Sequence, residues 1–371
     1  MNASPTSPIS FDLHTSEQRV PEAVRASLLE SPGFGQVFTD HMVSLRWSTG
    51  QGWHDGKLEP YGPLVLDPAT AVLHYSQEIF EGLKAYRQES GPIVTFRPYA
   101  NGARFRRSAL RMAMPELPED AFVQAIELLV THDRDWVPAS ADQSLYLRPF
   151  MIATTVALGV GRPAGSYLFL LIASPSGGIF TGGLRAVSVW LAQGYTRAAR
   201  GGTGEAKTGG NYAASFVGQQ QAIDHGCDQV VWLDANEHRW VEEMGGMNLF
   251  FVYGSGPGAR IMTPKLTGSL LPGITRDSLL TLAPDLGIPA SEGEISVEQW
   301  QAGCESGEIT EVFACGTAAV ITPVGEVKGA TGRWTIGDGT PGPVSLRLRE
   351  ELTGIQFGRL ADPYGWIHKI L

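Results

Sequence analysis

Cysteine is scarce in this chain of 371 residues. The three cysteines, Cys227, Cys304 and Cys315, are too few and too widely spaced for a disulfide framework. No pair of them has the spacing of a metal-ligand or redox motif. We therefore expect a reduced, cytoplasmic protein without a metal site.

Long hydrophobic runs are also missing. The longest, residues 167–173, is far too short to cross a bilayer, and the N-terminal residues show no basic start followed by an apolar segment. The chain has 38 acidic and only 28 basic residues, for a net charge of −10. Because its long-range field would repel polyanions, we expect neither nucleic acid nor a membrane as partner. Any anion site must be local.

Lysine supplies only six of the 28 basic residues, at positions 57, 84, 207, 265, 328 and 369. Lys207 lies in RGGTGEAKTGGNY, residues 200–212, where five glycines surround it ahead of a predicted helix. Glycine allows a backbone to approach a ligand closely. If the chemistry needs an amine, few candidates compete with Lys207.

Two other interpretations of this loop have to be weighed. The P-loop of a nucleotide hydrolase also ends in Lys-Thr before a helix, but Ala206 stands where that motif requires glycine. A solvent-exposed loop whose lysine only aids solubility is the simpler alternative, and the segment by itself favours it. Other parts of the chain have to decide.

The pattern of the chain changes near residue 180. Residues 174–183, SPSGGIFTGG, lack periodicity and are rich in Gly, Ser and Pro, which indicates an interdomain connection. We predict a smaller N-terminal α/β domain over 1–179, with roughly the first twenty residues loosely held, a connecting loop at 180–185, and a larger C-terminal domain over 186–371. Strands and helices alternate without a regular βαβ order, so the predicted fold class is α+β.

Hydrophobic periodicity predicts individual elements. Residues 119–132 have helical periodicity, with Phe122 and Ile126 on one apolar face. Residues 64–66 favour a short strand, and residues 211–225, directly after the lysine loop, favour a single helix.

Four segments together resemble the branched-chain aminotransferases, which are class IV aminotransferases of the fold-type IV pyridoxal-phosphate enzymes. They are LHYSQEIFEGLKAYR at 73–87, FRPYANGARFRRSALRM at 96–112, SLYLRP at 144–149, and the run from EAKTGGNY at 205–212 through EEMGGMNLFFV, LPGITRDSLL and EVFACGTAAVITPV. In this order and spacing the combination is highly specific. The resemblance implies a two-domain α+β fold with mixed sheets in the larger domain, a pyridoxal 5′-phosphate cofactor and a homodimer.

The resemblance also assigns the residues that hold the cofactor. Lys207 corresponds to the lysine that forms the internal aldimine and later moves the proton at the substrate Cα. Glu243 corresponds to the carboxylate that keeps the pyridine nitrogen protonated, and Tyr212 to the tyrosine at the phenolic oxygen. The expected phosphate partners are Arg104, Ile274, Thr275 and Thr317. The turn before the predicted helix at 275 also suits a phosphate on physical grounds, because backbone N–H groups and the positive end of the helix dipole meet there.

The substrate pocket is implied in the same way. Its aromatic wall corresponds to Phe34, Tyr75, Phe80 and Tyr146, and Tyr75 is expected to serve the site of the neighbouring subunit. Arg148 corresponds to the arginine that reaches the distal carboxylate of glutamate, and the amides of Thr317 and Ala318 would bind the α-carboxylate. The implied reaction converts L-leucine, L-isoleucine or L-valine and 2-oxoglutarate into branched 2-oxo acids and L-glutamate, with ping-pong kinetics.

The chain departs from the family pattern in three places. Residues 319–322 contain no CxxC pair, which excludes the thiol switch of the animal enzymes. Ile179 replaces a pocket tyrosine, and Gly246 replaces a threonine after the cofactor glutamate, so the fine specificity stays open. A D-amino acid aminotransferase or an aminodeoxychorismate lyase of the same fold is the nearer alternative. A P-loop hydrolase and a non-enzymatic amino acid-binding module are the distant ones.

Overall fold

A computed structural model describes residues 9–140, 142–177, 184–330 and 332–371. Ile179 and most of the predicted connecting loop at 180–185 lie outside these residues. Within the described residues the strands are β1 (Phe11–Leu13), β2 (His41–Ser48), β3 (Gly52–Pro60), β4 (Glu78–Phe80), β5 (Leu83–Arg87), β6 (Ile93–Phe96), β7 (Ser144–Ala153), β8 (Ser166–Ser176), β9 (Val187–Ala192), β10 (Gln229–Leu233), β11 (Val241–Met244), β12 (Met247–Tyr253), β13 (Arg260–Pro264), β14 (Ala290–Gly293), β15 (Ile309–Gly316), β16 (Val320–Gly329), β17 (Gly332–Thr335) and β18 (Ile367–Lys369). The α-helices are α1 (Glu22–Glu30), α2 (Val72–Tyr75), α3 (Pro98–Arg111), α4 (Glu119–His132), α5 (Gly209–Ala213), α6 (Phe216–Asp224), α7 (Ile274–Asp285), α8 (Val297–Ser306) and α9 (Pro343–Gln356).

The chain forms two compact units. Unit 1 consists of the described residues of Met1–Ile179 together with Ala206–Gly209 and Gln356–Leu371. Unit 2 consists of the described residues of Phe180–Glu205 together with Gly210–Ile355. The lysine segment and the C-terminal segment follow residue 180 in the chain but belong to unit 1. Long-range hydrogen bonds cause this, because Phe80 bonds to Lys207 and β18 pairs with β6.

Unit 1 is built on one sheet with the strand order β1-β3-β2-β8-β7-β5-β6-β18, and β4 pairs with β7 beside this path. All of these pairs are antiparallel except β1 with β3. The longest apolar run of the sequence forms most of β8, which lies between two other strands. Its alternate side chains therefore enter different apolar clusters, Phe169 with the α3–α4 core and Leu170 with Met42.

Helix α4 has the bounds that periodicity predicts. Pro118 precedes it, and Glu119 and Asp120 in its first turn suit the positive end of the helix dipole. Its Phe122 ring lies 5.5 Å from Phe105 of α3 and 6.4 Å from Phe169 of β8, measured between ring centres. These buried rings form the middle of the unit 1 core.

Unit 2 has a mixed sheet with the strand order β11-β10-β9-β16-β15-β12-β13-β14, and β17 pairs with β16. Strand β9 is parallel to β10 and β16, and β13 is parallel to β14. Strand β11 also pairs with β12, so the path from β11 through β9 to β12 closes on itself. The predicted α+β class with mixed sheets is confirmed.

Two predicted elements differ from the structure. Residues 64–66 form no strand, and Val65 is 97% exposed, because this short apolar stretch has no strand to pair with among the described residues. The predicted helix at 211–225 is divided into α5 and α6. Ser215 sits at the break, where its hydroxyl and its N–H both bond to the Tyr212 carbonyl, and such local bonds compete with a continuous helix.

No described helix is long and apolar enough to cross a membrane.

Candidate active site

The backbone around Lys207 is held from two sides within unit 1. The Phe80 N–H of β4 donates to the Lys207 carbonyl at 2.9 Å, and the Lys207 N–H donates to Ser108 Oγ of α3 at 3.0 Å. Thr208 Oγ1 donates to the Glu78 carbonyl at 2.8 Å, and the Gly209 N–H donates to the Glu78 carboxylate. A lysine in a glycine-rich segment thus has a fixed main chain, which the composition of the loop alone does not suggest.

The Lys207 amine lies over an aromatic ring and near an ion pair. Its Nζ is 4.9 Å from the centre of the Phe80 ring. Glu81, the residue next to Phe80, is fully buried and forms two bonds with Arg104, Nε to Oε1 at 2.7 Å and Nη2 to Oε2 at 2.8 Å. Burial favours the neutral acid, but Arg104 and Lys207 outweigh it and lower the pKa of Glu81.

Arg104 is more constrained than the sequence indicates. It is buried, and the bidentate pair with Glu81 occupies its Nε and Nη2. Asn101 also donates to Glu81 Oε2 at 2.7 Å. The expected phosphate role of Arg104 stays a prediction, and the structure adds that Glu81 sets the plane of its guanidinium.

Four of the predicted substrate residues meet in unit 1. The Arg148 guanidinium lies 4.8 Å from the centre of the Phe80 ring, and its Nη2 donates to the Tyr146 hydroxyl at 2.9 Å. The Phe34 and Tyr146 rings are 5.0 Å apart in an edge arrangement. A Cβ at Gly82 would overlap the Tyr146 hydroxyl, so only glycine leaves room for this tyrosine. The Phe80 ring thus has both the Lys207 amine and the Arg148 guanidinium within 5 Å of its centre.

Tyr75, the remaining residue of the predicted aromatic wall, lies elsewhere in unit 1. It is 41% exposed and lines a cavity of ≈ 1190 Å³ together with Thr49, Gln77, Val160 and Arg162. This cavity is not lined by the other four predicted substrate residues of unit 1, which are Phe34, Phe80, Tyr146 and Arg148. Within its own chain, Tyr75 therefore lines a cavity to which the other four predicted substrate residues do not contribute.

Glu243 is the central carboxylate of unit 2. It is 2% exposed, its Oε1 accepts the Leu271 N–H at 2.8 Å and the Asn248 amide at 3.2 Å, and its Oε2 lies 2.5 Å from Arg197 Nη2. Strand register explains its neighbours, because Glu243 of β11 pairs with Asn248 of β12, and Asn248 pairs with Cys315 of β15. Glu243, Asn248 and Cys315 are therefore in register across three adjacent strands, near the end of β15.

The turns at this end of the unit 2 sheet hold two more predicted residues. Thr317 and Ala318 lie in the turn between β15 and β16, directly after the pair of Gly316 with Val320. A Cβ at Gly246, in the β11–β12 turn, would meet the Tyr212 ring at 3.4 Å. A side chain at position 246 would therefore be in ordinary van der Waals contact with Tyr212.

Helix α7 begins at Ile274, and its N-terminal turn suits an anion. Gly273 precedes the helix in an extended conformation and provides no side-chain cap, while Thr275 in the first turn is 9% exposed. A Cβ at Gly273 would overlap Asn248 Oδ1, so the helix start packs directly on the residue that holds Glu243. Backbone N–H groups, the helix dipole and a hydroxyl are chemically suited to an anion such as phosphate.

The sequence matches a family model over more than half of its length. The family model described as amino-transferase class IV matches residues 78–327. This chain belongs to the class IV aminotransferases. The matched part of the aminotransferase contains Phe80, Arg104, Lys207, Glu243 and Thr317.

Similar proteins cover most of this aminotransferase. The branched-chain-amino-acid aminotransferase of Mycolicibacterium smegmatis is 58% identical over 364 residues, 98% of this chain and 99% of its own. The solved structure of the Escherichia coli branched-chain amino acid aminotransferase has a TM-score of 0.73 at 29% identity and covers 89% of this chain and 100% of its own. The Thermobaculum terrenum enzyme of that name, solved in its PLP form, shows the same fold, with a TM-score of 0.71 at 22% identity over 89% of this chain and 98% of its own.

The residues of the aminotransferase fit a phosphorylated pyridoxal group. Unit 1 offers the Lys207 amine for an aldehyde, and unit 2 offers the buried Glu243 carboxylate for a protonated ring nitrogen. The start of α7 offers an uncapped helix N-terminus and the Thr275 hydroxyl for a phosphate. The aldehyde, the ring nitrogen and the phosphate thus each have a protein group of matching chemistry.

Sequence reasoning missed four residues that hold the assigned ones. Glu81 and Asn248 lie within apolar stretches, EIFEGL and GMNLFFV, and a polar residue in a buried strand is a signal that a partner exists. Ser108 and Arg197 carry no comparable signal, because a serine in a helix and an arginine in a loop are ordinary. Their contacts depend on which distant segments the fold brings to them.

Proposed function

We propose that this class IV aminotransferase transfers the amino group of L-leucine, L-isoleucine or L-valine to 2-oxoglutarate, with pyridoxal 5′-phosphate as cofactor. The products are branched 2-oxo acids and L-glutamate. The observation that carries the proposal is the position of Lys207, whose amine shares the Phe80 ring with Arg148 in a chain 58% identical to the M. smegmatis enzyme of that name. An amine and a carboxylate-binding arginine beside one apolar ring suit a substrate that alternates between branched-chain and acidic side chains.

Lys207 is assigned the covalent and proton-transfer work. When bound, the cofactor supplies an electron-accepting ring that stabilises the carbanion formed at the substrate Cα. Lys207 Nζ would take the proton from the substrate Cα and deliver it to the cofactor carbon that was the aldehyde carbon. The hydrogen bonds that hold its backbone to Phe80 and Ser108 support this role, because proton transfer requires a fixed base.

Other residues are assigned to the ring nitrogen, the phenolic oxygen and the phosphate of the cofactor. Glu243 would hold a proton on the ring nitrogen, and Tyr212 would donate to the phenolic oxygen. Phosphate would be bound by Arg104, Ile274, Thr275 and Thr317. The uncapped start of α7 and the buried Thr275 support the phosphate assignment.

The substrate roles follow from the aromatic group. Phe34, Phe80 and Tyr146 would bury a branched aliphatic side chain, which gains free energy as apolar area leaves water. Arg148 would pair with the distal carboxylate of glutamate or 2-oxoglutarate, and its bond to the Tyr146 hydroxyl supports this by orienting the guanidinium. The turn amides of Thr317 and Ala318 would bind the α-carboxylate.

A homodimer is part of the proposal. Apolar side chains around the Tyr75 cavity are strongly exposed, with Leu73 at 58%, Val156 at 57%, Leu158 at 69% and Val160 at 76%. A second copy would cover them and would place Tyr75 next to the partner's site. Sedimentation of the purified protein at twice the mass of the 39.9 kDa chain is the expected result.

A cytoplasmic location is the final part of the proposal. The free thiols Cys227, Cys304 and Cys315 support it. Cell fractionation is the direct measurement.

The test combines a spectrum with a substrate series. Purified protein loaded with pyridoxal 5′-phosphate should absorb visible light, and sodium borohydride should remove the band and leave the added mass on Lys207. Oxo acid formation from leucine, isoleucine and valine should exceed that from aromatic and D-amino acids. A protein that stays colourless with added cofactor overturns the proposal. A preference for D-alanine would favour the D-amino acid enzyme instead, and turnover of ATP with magnesium would favour the P-loop hydrolase.

A further inference from the structure

Arg197 lies in the loop after β9 and is buried beside two carboxylates. Its side chain is 8% exposed, its Nη2 donates to the Ser269 carbonyl at 2.8 Å, and the same nitrogen is 2.5 Å from Glu243 Oε2. A guanidinium loses hydration when it is buried, so it stays there only if it is paired. Glu243 is the acid with which Arg197 forms an ion pair in the described part of unit 2.

The two oxygens of Glu243 are held in different ways. Oε1 accepts from the Leu271 N–H and from the Asn248 amide, and Asn248 also donates to the Leu271 carbonyl at 3.0 Å. These donors belong to the main chain and to a buried strand, so they fix one end of the carboxylate. Arg197 supplies the cation at Oε2, the other end.

The local charge balance also depends on Arg197. Glu242 is adjacent to Glu243, and its pKa is raised first by burial and further by the charge of Glu243, while a bond from Ser269 and the charge of Arg197 lower it. Glu243 is buried and Glu242 is half-buried, and two neighbouring acids withdrawn from water disfavour each other's ionisation. Without the Arg197 cation, the cost of keeping both acids charged would rise.

We propose that Arg197 is a positioning residue that keeps Glu243 ionised and correctly oriented toward the ring nitrogen of the cofactor. The inference rests on the proposed function. An ionised carboxylate stabilises a protonated ring nitrogen, whereas a protonated carboxyl group does not. Arg197 thus acts on the electronic state of the cofactor through Glu243.

The test compares two probes that differ only at the ring nitrogen. Apoenzyme affinities are measured by fluorescence for pyridoxal 5′-phosphate and for its 1-deaza analogue, in which carbon replaces that nitrogen. The variants are Arg197→Met and, as a matched control, Arg239→Met, since Arg239 is 49% exposed and pairs with the exposed Glu298. The readout is the preference for pyridoxal 5′-phosphate, which is the ratio of the two dissociation constants.

Arg197→Met should reduce this preference by about tenfold or more, because a charge-assisted contact is lost at Glu243. Arg239→Met should leave it unchanged. An equal loss of affinity for both probes would show that Arg197 only supports the local structure, and would overturn the proposal. An unchanged ratio would overturn it as well.

A second variant keeps the proposal testable if Arg197→Met does not fold. Arg197→Lys keeps the charge, but its side chain is one bond shorter than the path to Nη2, the nitrogen that contacts both Ser269 and Glu243. A fall in the preference of about threefold or more is therefore expected. An unchanged ratio in a folded lysine variant overturns the proposal. Failure of the unsubstituted protein to bind pyridoxal 5′-phosphate would overturn the proposed function itself, and it is recognised before any variant is made.

Discussion

The Lys207 amine lies 4.9 Å from the centre of the Phe80 ring, and the Phe80 N–H donates to the Lys207 carbonyl at 2.9 Å. Strand β4 therefore holds the lysine by both its main chain and its side chain. An amine fixed in this way can be removed with little effect on the fold, since the main-chain bonds remain.

Replacing Lys207 with alanine should abolish transamination and leave the fold intact. We expect turnover to fall by about 10³-fold or more, because both the covalent attachment and the proton transfer are lost. Steady-state rates with L-leucine and 2-oxoglutarate, together with circular dichroism, are the measurements. Lys265→Ala is the control, since Lys265 is 51% exposed and pairs with Glu294. Full multiple-turnover activity in Lys207→Ala would contradict the assigned role.

Glu81→Gln should destabilise the protein strongly. The substitution leaves the buried Arg104 guanidinium without its carboxylate, at a cost of about 3–5 kcal/mol. Urea unfolding at neutral pH measures it. Glu116→Gln, which breaks the exposed pair with Arg106, should cost at most about 1 kcal/mol. Equal effects of the two substitutions would mean that burial of the Glu81 pair does not matter.

Stability should also depend on pH through Glu81. Burial favours its neutral form, but Arg104 and Lys207 prevail, and the pKa of Glu81 is lowered from 4.5 on folding. The unfolded state therefore binds the proton more tightly, so this stabilisation is complete above pH 4.5 and is lost as the pH falls through the folded pKa. Between about pH 6 and pH 3, Glu81→Gln should lose less stability than the natural protein. Parallel acid profiles would refute this.

Gly82→Ala should disturb the substrate group. The new Cβ would overlap the Tyr146 hydroxyl, so Tyr146 must move away from Arg148. We expect about 1–3 kcal/mol of lost stability and a raised KM for 2-oxoglutarate. Gly62→Ala, where no atom lies within 4 Å of the new Cβ, should be close to neutral. An unchanged KM in Gly82→Ala would separate Tyr146 from the binding of the acidic substrate.

Gly273→Ala should weaken the binding of pyridoxal 5′-phosphate. Its Cβ would overlap Asn248 Oδ1, which pushes the start of α7 away from the residue that holds Glu243. Because a displaced donor set binds poorly, we expect an affinity loss of about tenfold or more. Titration of the apoenzyme measures it. Gly258→Ala, in open space, is the matched control, and equal affinities in both variants would count against a role of this turn.

Thiol reagents should leave the folded enzyme active. Burial raises the pKa of Cys304 to about 12 and also raises the pKa of Cys227 and Cys315. At pH 8, only about one Cys304 in 10⁴ is then a thiolate, which is the reactive form. A disulfide reagent should label three thiols after unfolding and react slowly before it. Rapid labelling of the folded protein with loss of activity would contradict this prediction. It would show that a cysteine controls the activity although the chain lacks the CxxC pair.

Much of the local structure was predictable because it depends on neighbouring residues. The apolar face of residues 119–132 predicts α4 with its observed bounds, and the apolar run at 167–173 coincides with most of β8. The scarcity of lysine left few candidate amines, and the ordered motifs indicated both the family and the role of Lys207. The break between α5 and α6 was not predictable, since it depends on how Ser215 bonds to Tyr212.

The contacts that organise the site were decided by the tertiary structure. Lys207 belongs to unit 1 because it bonds to Phe80 and Ser108, which lie far earlier in the chain. Glu81 with Arg104, and Arg197 with Glu243, are pairs whose members look unremarkable in their own segments. The sequence by itself thus predicted several of the elements, identified the family and made Lys207 the candidate for the reactive amine. The pairing of buried charges depends on the path of the whole chain. A hydrogen bond between distant residues does not alter the local sequence pattern around either residue, so it cannot be predicted from that pattern.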